Sequence, residues 1–422
     1  MLQWLHANGC PWSAQTCTMA AFSGRLEVLR WAHANRCPWD EQTCRGAAEG
    51  GNLEVLQWLH ANGCPWDEWT CTAAAWGGHL EVLQWARANG CPWNEQTCTR
   101  AAEGGHLHVS HWAYANSCPR DGKELHIAVE LGNEDIARVL IEAGADVNKA
   151  GDDGGTPLFM AAQTGHEAIA RVLIEAGADI NNAMDGGATP LFMAAKNGHE
   201  AIARVLIEAG VDINNAMDGG ATPLLIAAKN GHEAVVRVLI EFGANVNKAR
   251  DNGVTPLFMA TGNGHEAVVR ALIEAGADVD KAMDNGATPL FVAAQDGHET
   301  VVRALIQAGA NVNRDMDDGR TPLIVAAERG HEPVVRALIQ AGADANKAGD
   351  DGATPLFTAA QFDNEAVVRT LIELGADLNK ATYICMTPLL IATVKEHEAI
   401  VQILTEAGAD AGLGVPARRR RR

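Results

Sequence analysis

The apolar positions of this chain fall into short stripes at helical spacing, separated by polar breaks that return on a fixed period. Leu158, Ala161 and Ala162 stand at i, i+3 and i+4, and Ile169, Val172 and Leu173 repeat that spacing. Each triplet marks one buried face of a short helix. Thr156-Pro157 opens the first helix: a threonine oxygen caps free amides, and proline at the first helical position loses no intrahelical bond. Gly165 ends it, and a second helix is predicted from Glu167 to Ala176, stopped by Gly177. Ala178 to Gly187 is rich in Asp, Asn and Gly, which predicts a hairpin-like turn. Helices of about ten residues are marginal alone in water. Each must bury its stripe against neighbouring units, so stability is a nearest-neighbour property.

The period is 33 residues. Thr-Pro recurs at Thr156, Thr189, Thr222, Thr255, Thr288, Thr321, Thr354 and Thr387. A fixed period of this length signals stacked supersecondary units rather than a core built around one cleft. Thr156-Pro157-Leu158, Ala161-Ala162, Gly165-His166, Gly177-Ala178-Asp179 and Asn181 together resemble the ankyrin repeat pattern. Nine such units run from Lys123 to Arg419. The resemblance implies an all-α ankyrin-repeat α-solenoid of stacked helix-turn-helix units, with β-hairpin-like fingers in the 33-residue units. One departure is systematic. The histidine of the family's T-P-L-H occurs only as His126, and Phe159, Phe192, Leu225, Phe258, Phe291, Ile324, Phe357 and Leu390 replace it. A more apolar contact is expected there.

Residues 1–122 repeat with a period of 27. Cys10-Pro11-Trp12 returns as Cys37-Pro38-Trp39, Cys64-Pro65-Trp66 and Cys91-Pro92-Trp93, and fades to Cys118-Pro119-Arg120. Cys17, Cys44, Cys71 and Cys98 keep the same spacing, as do Trp4, Trp31, Trp58, Trp85 and Trp112. Aligning Trp69 with Thr156 superimposes both helices, and the six missing residues all fall in the finger. The short unit therefore loses the finger, and Cys-Pro-Trp closes the gap. It resembles divergent ankyrin repeats of algal, protist and large-virus proteins. The expected organisation is 1–122 in short repeats with a partial first unit, 123–417 in nine long repeats in phase with them, and 418–422 as a basic tail. Continuous stacking of these units gives a curved rod. Trp4 and Leu5 lack a preceding first helix, which predicts a truncated or mis-started amino terminus. Thr405 and Lys395-Glu396 read as a partial polar cap, and Tyr383-Ile384-Cys385 makes the last finger aberrant.

A net charge of −20 argues against nonspecific nucleic-acid binding and favours a basic or neutral partner. Nine of the ten cysteines lie at or before Cys118. With no leader pattern ahead of them, they point to a reducing interior with free thiols, cytoplasmic with the nucleus as alternative. No apolar run reaches the roughly 18–20 residues of a membrane span.

The cysteine ladder lacks C-x-x-C and phased histidines, so it reads as small buried hydrophobes rather than a zinc site. Trp58, Trp85 and their equivalents read as core. Trp12, Trp39, Trp66 and Trp93 either plug the shortened loop or form an apolar ridge. His166, His199, His232, His265, His298 and His331 are six equal residues where catalysis needs one special residue. The resemblance makes them inter-unit structural groups. No catalytic motif, metal site or cofactor loop appears.

The binding candidates are aspartates at the finger and positions that escape the period. The former are Asp152, Asp153, Asp185, Asp218, Asp251, Asp284, Asp317, Asp318, Asp350 and Asp351, with Arg320 beside them. The latter include Met160, Gln163, Met193, Lys196, Lys229, Gln295, Glu328 and Arg329. Turn-making accounts for the aspartates as well, while together they would form an acidic rail for a Lys/Arg-rich partner. The leading expectation is a monomeric, non-catalytic scaffold or adaptor for protein partners. The alternatives are a nuclear or nucleic-acid-linked adaptor acting through Arg418–Arg422, and the non-catalytic part of a larger signalling enzyme.

Overall fold

The computed structural model describes residues 12–410, which fold into 26 helices. The expectations for Trp4, Leu5, Cys10 and Arg418–Arg422 concern positions outside the described residues. Two compact units divide the chain, residues 1–185 and 186–422. The change of period near Lys123 lies inside the first.

In the first unit, helices Ala14–Phe22, Glu41–Glu49, Glu68–Trp76 and Glu95–Glu103 pair with Leu26–Ala34, Leu53–Ala61, Leu80–Ala88 and Leu107–Ala115. Two longer repeats follow, Glu124–Glu130 with Glu134–Glu142, and Pro157–Thr164 with Glu167–Glu175. The short helices are capped by Asp40, Asp67 and Asn94, whose side chains accept from the backbone N–H of Gln42, Trp69 and Gln96. The cap thus sits two residues before Trp69, the position aligned with Thr156, because these units lack Thr-Pro and use the nearest acceptor.

Sulfur does part of the work of the missing finger. Cys64 Sγ donates to the Asp40 carbonyl at 3.4 Å and Cys91 Sγ to the Asp67 carbonyl at 3.3 Å. Each bond ties a Cys-Pro-Trp segment to the cap residue one unit earlier. Cys17, Cys44, Cys71 and Cys98 are fully buried, and the cysteines of the described residues are free thiols. Trp39 stacks on His33 at 4.0 Å and meets Trp58 edge-on at 5.8 Å, and Trp66 repeats both contacts with His60 and Trp85. The Cys-Pro-Trp indoles therefore wedge into the shortened loop. Trp58 and Trp85 are only half-buried, which corrects the core expectation. An indole is too long to be enclosed where a valine fits.

The second unit carries seven helix pairs, from Pro190–Asn197 with Glu200–Glu208 to Pro388–Val394 with Glu398–Glu406. Its caps follow the sequence: Thr255 Oγ1 accepts from Phe258 N–H at 3.1 Å, and Thr321 Oγ1 from Ile324 N–H at 3.2 Å. Leu257, Val269 and Leu272 are fully buried, each contributing about 1.5–3 kcal/mol of apolar transfer. Polar staples join neighbouring repeats. Asn247 Oδ1 accepts from Asp278 N–H at 2.8 Å, and Asn313 Oδ1 from Asp344 N–H at 2.8 Å. The histidine ladder does the same: His232, His265 and His331 each lie 3.0 Å from the carbonyl of Lys196, Lys229 and Gln295 respectively.

The fingers are turns, not β-hairpins, for no strand occurs among the described residues. Met283 N–H reaches the Ala287 carbonyl and Gly286 N–H the Met283 carbonyl, and the fingers beginning at Gly151, Met217, Arg250, Met316 and Gly349 repeat this pair of backbone bonds. Five residues with a left-handed glycine leave no room for a ladder on either side. The last finger keeps this turn despite its altered sequence: Thr382 N–H bonds the Met386 carbonyl at 2.9 Å, and Cys385 takes the left-handed place of glycine at φ 64°.

Candidate interaction surface

In the second unit the fingers are stitched edge to edge. Asp218 N–H bonds the Gly186 carbonyl at 3.1 Å, Asp317 N–H the Asn285 carbonyl, and Asp350 N–H the Asp318 carbonyl, both at 3.3 Å. Asp284 N–H makes the same link to Asn252 at 3.5 Å. These bonds fix Asp218, Asp284, Asp317 and Asp350 in register along an edge.

Two kinds of carboxylate occur along the fingers: an outer aspartate, and an inner one present as Asp153, Asp318 and Asp351 where other fingers carry Gly186, Gly219, Asn252 and Asn285. The inner position makes the turn. Asp351 Oδ1 accepts from Ala353 N–H at 2.8 Å, and Asp318 accepts from Arg320 N–H and from Arg320 Nε. Burial raises the Asp318 pKa, but those bonds outweigh it and leave it below the ordinary value. The outer position carries Asp218, Asp251, Asp284, Asp317 and Asp350. All five are exposed, and none has a side-chain hydrogen bond or ion pair among the described residues.

The remaining candidates separate by environment. Asp318, Arg320, Glu328 and Arg329 form one surface ion network, with Arg320 Nη1 3.6 Å from Glu328 Oε2 and Arg329 Nε 4.0 Å from Glu328 Oε1. It compensates its own charge. Lys196 and Lys229 are exposed, Gln295 is half-exposed, and Met193 is buried at 8%. Met193 therefore offers little surface to a partner.

In the first unit, Asp152, Asp153 and Met160 come together with Lys123, His126 and Lys149 around a cavity of about 400 Å³. Asp152 is paired with Lys123 Nζ at 2.8 Å, and this bond holds its carboxyl below the usual range. Asp153 Oδ1 accepts from Gly155 N–H at 3.0 Å and makes the turn. His126, the one family-type histidine, lies 3.1 Å from the Gly155 carbonyl. Gln163 and Asp185 are exposed and do not line this cavity.

A second aromatic feature went unread in the sequence. Trp69 and Trp76 are exposed at 37% and 44%, and they line a cavity of about 210 Å³ with Arg45, Glu49 and Arg100. Arg45 lies 5.4 Å over Trp69 and Arg100 5.5 Å over Trp76. The available signal was aperiodicity at Trp69, for which the other short units have Gln15, Gln42 and Gln96, while at Trp76 they have Phe22, Glu49 and Glu103. Among the described residues no cluster of three or more His, Cys, Asp or Glu is arranged to hold a metal, and no helix is long and apolar enough to cross a membrane.

A family model described as ankyrin repeats (3 copies) matches residues 45–151, 125–217, 209–283, 276–349 and 342–413. Among solved structures, the crystal structure of the human ASB11 ankyrin repeat domain is similar at 30% identity. That similarity covers 51% of this chain and 97% of that one, with a TM-score of 0.48. No curated protein matches.

Proposed function

The chain belongs to the ankyrin repeat family, whose domains generally mediate protein–protein interaction, and from that premise we propose a non-catalytic scaffold that docks a Lys/Arg-rich segment of a partner along the finger edge. The observation that carries this reading is the row of five uncompensated carboxylates on stitched fingers. An aspartate needed only for its turn accepts a backbone N–H, as Asp351 does. Asp218, Asp251, Asp284, Asp317 and Asp350 do not, and their charges are held in register with nothing opposite. An extended basic segment supplies the complementary charge. The free, buried thiols support a reducing compartment, which we take to be the cytoplasm. We take the chain to act as a monomer.

The test is crosslinking from the finger edge in native lysate, followed by capture with Asp284→Lys/Asp317→Lys and with Glu208→Lys/Glu241→Lys as a charge-matched control on second helices. The finger variant is expected to lose the partner and the control to keep it. Binding should also weaken with rising salt, since exposed charges are screened within about 8–10 Å. Capture that is equal for both variants would sink the proposal.

A further inference from the structure

On the first helices of the short repeats, departures from the period meet at one place. Arg45 stands where the other short units carry Thr18, Thr72 and Thr99, and Trp69 where they carry glutamine. Trp76 and Arg100 occupy positions that vary from unit to unit. All four line the cavity of about 210 Å³. Trp69 and Trp76 are seven residues apart on Glu68–Trp76, so they leave one face of the helix about 10 Å apart along its axis. Between them lie Thr72 and Ala73, both short and buried, and Thr72 Oγ1 is already engaged by the Glu68 carbonyl at 3.0 Å. The result is a notch walled by two indoles. Rings and side chains in contact sit about 4.5–7 Å apart, so the spacing leaves room for one further side chain.

The notch is open to solvent. Trp69 and Trp76 are exposed at 37% and 44%, and Arg45 and Arg100 are half-exposed. Exposed apolar surface rimmed by polar groups marks a contact site. Its two ends differ in charge. At the Trp76 end neighbouring helices finish in register: a Cβ on Gly77 would lie 2.8 Å from the Glu49 carbonyl, and one on Gly104 2.8 Å from the Trp76 carbonyl. Arg100 Nη1 is 2.6 Å from Glu103 Oε2, so its charge is met there. At the Trp69 end Arg45 lies 5.4 Å over the indole and has no ion pair or hydrogen bond among the described residues. A ring engages the face of a guanidinium and leaves the N–H donors on its edge free.

We propose that this notch docks an acidic segment of a partner protein, with an apolar side chain between the indoles and an adjacent Asp or Glu on Arg45. A carboxylate takes two parallel N–H···O bonds from a guanidinium, and Arg45 offers them without first giving up an internal pair. A run of phosphates fits less well: the one free cation shares its cavity with Glu49, and the chain carries a net charge of −20. The site lies within the first unit and takes a ligand opposite in charge to the one assigned to the finger edge, so neither depends on the other.

The experiment is selection of phage-displayed short random peptides on the full chain, with counter-selection on Trp69→Gln/Trp76→Glu, which restores residues that neighbouring short repeats carry. Enriched peptides are expected to share an acidic residue beside an apolar one. A dye-labelled peptide of that consensus should then bind the full chain saturably in fluorescence polarisation. Its affinity should fall about tenfold or more in Arg45→Thr and several-fold in Trp69→Gln. It should be unchanged in Asp284→Lys/Asp317→Lys, which separates this site from the finger edge, and an oligothymidylate should not compete. If Arg45→Thr fails to fold by circular dichroism, Trp69→Gln decides. No enrichment over the counter-selected variant, a consensus without acidic residues, or competition by the oligothymidylate overturns the proposal, as does equal affinity of wild type and the deciding variant.

Discussion

The histidine ladder makes a prediction that two glycines of one repeat can isolate. Gly231 and Gly243 both sit in the left-handed region, at φ 77° and 90°. An alanine Cβ at Gly243 would meet nothing within 4 Å, whereas at Gly231 it would lie 2.7 Å from the His265 ring. Gly243→Ala therefore pays only the left-handed penalty, about 1–2 kcal/mol. Gly231→Ala pays the same and must also push His265 off the Lys229 carbonyl, now 3.0 Å away. The lost bond adds about 0.5–1.5 kcal/mol. Urea denaturation should place Gly231→Ala below Gly243→Ala by that difference. Native-state hydrogen exchange should confine the loss to the flanking repeats, because repeats couple to nearest neighbours. Combining Gly231→Ala with His265→Ala should give less than the sum of the single effects. Equal losses for the two glycine variants, or full additivity with His265→Ala, would refute the staple role of the histidine.

Cysteine reactivity should divide sharply. Burial pushes the Cys17 thiol up to about 12, and hydrogen bonding to Cys64 with burial pushes Cys44 upward as well. Iodoacetamide at mildly alkaline pH should alkylate exposed Cys385 in the native chain and reach Cys17, Cys44, Cys71 and Cys98 only after denaturant, as read by peptide mass spectrometry. Glu124 should leave a pH signature. Its folded pKa is raised above the ordinary carboxylate value of 4.5, so its contribution is greatest below that value and is lost as pH rises through the folded one. The stability difference between Glu124→Gln and wild type should shift toward the variant over that window in urea midpoints measured against pH. A difference that stays flat would place Glu124 in solvent.

Helices and caps were legible in the sequence because they depend on residues close together in the chain. Thr255 caps Phe258 three residues on, and the spacing of Val268, Val269 and Leu272 sets the buried face of their helix. The fingers were read too generously. Their turn chemistry is local and was visible, but a strand needs a partner ladder that five residues cannot supply. Trp58 and Trp85 were misread as core because alignment gives a side chain's position and not its reach.

The interaction surface required the folded chain. In the sequence Asp317 and Asp318 are adjacent and equivalent, while in the structure one is bare and the other is held by Arg320. Glu124 in the sequence is one acidic residue at a helix start, and only packing encloses it. By itself the sequence determined the period, the helix pairs and the family they indicate, because a repeated local pattern specifies a repeated unit. The tertiary structure decided which charges are compensated and which atoms are buried, because those depend on how turns aim neighbouring side chains and on how repeats pack, neither of which the order of residues displays.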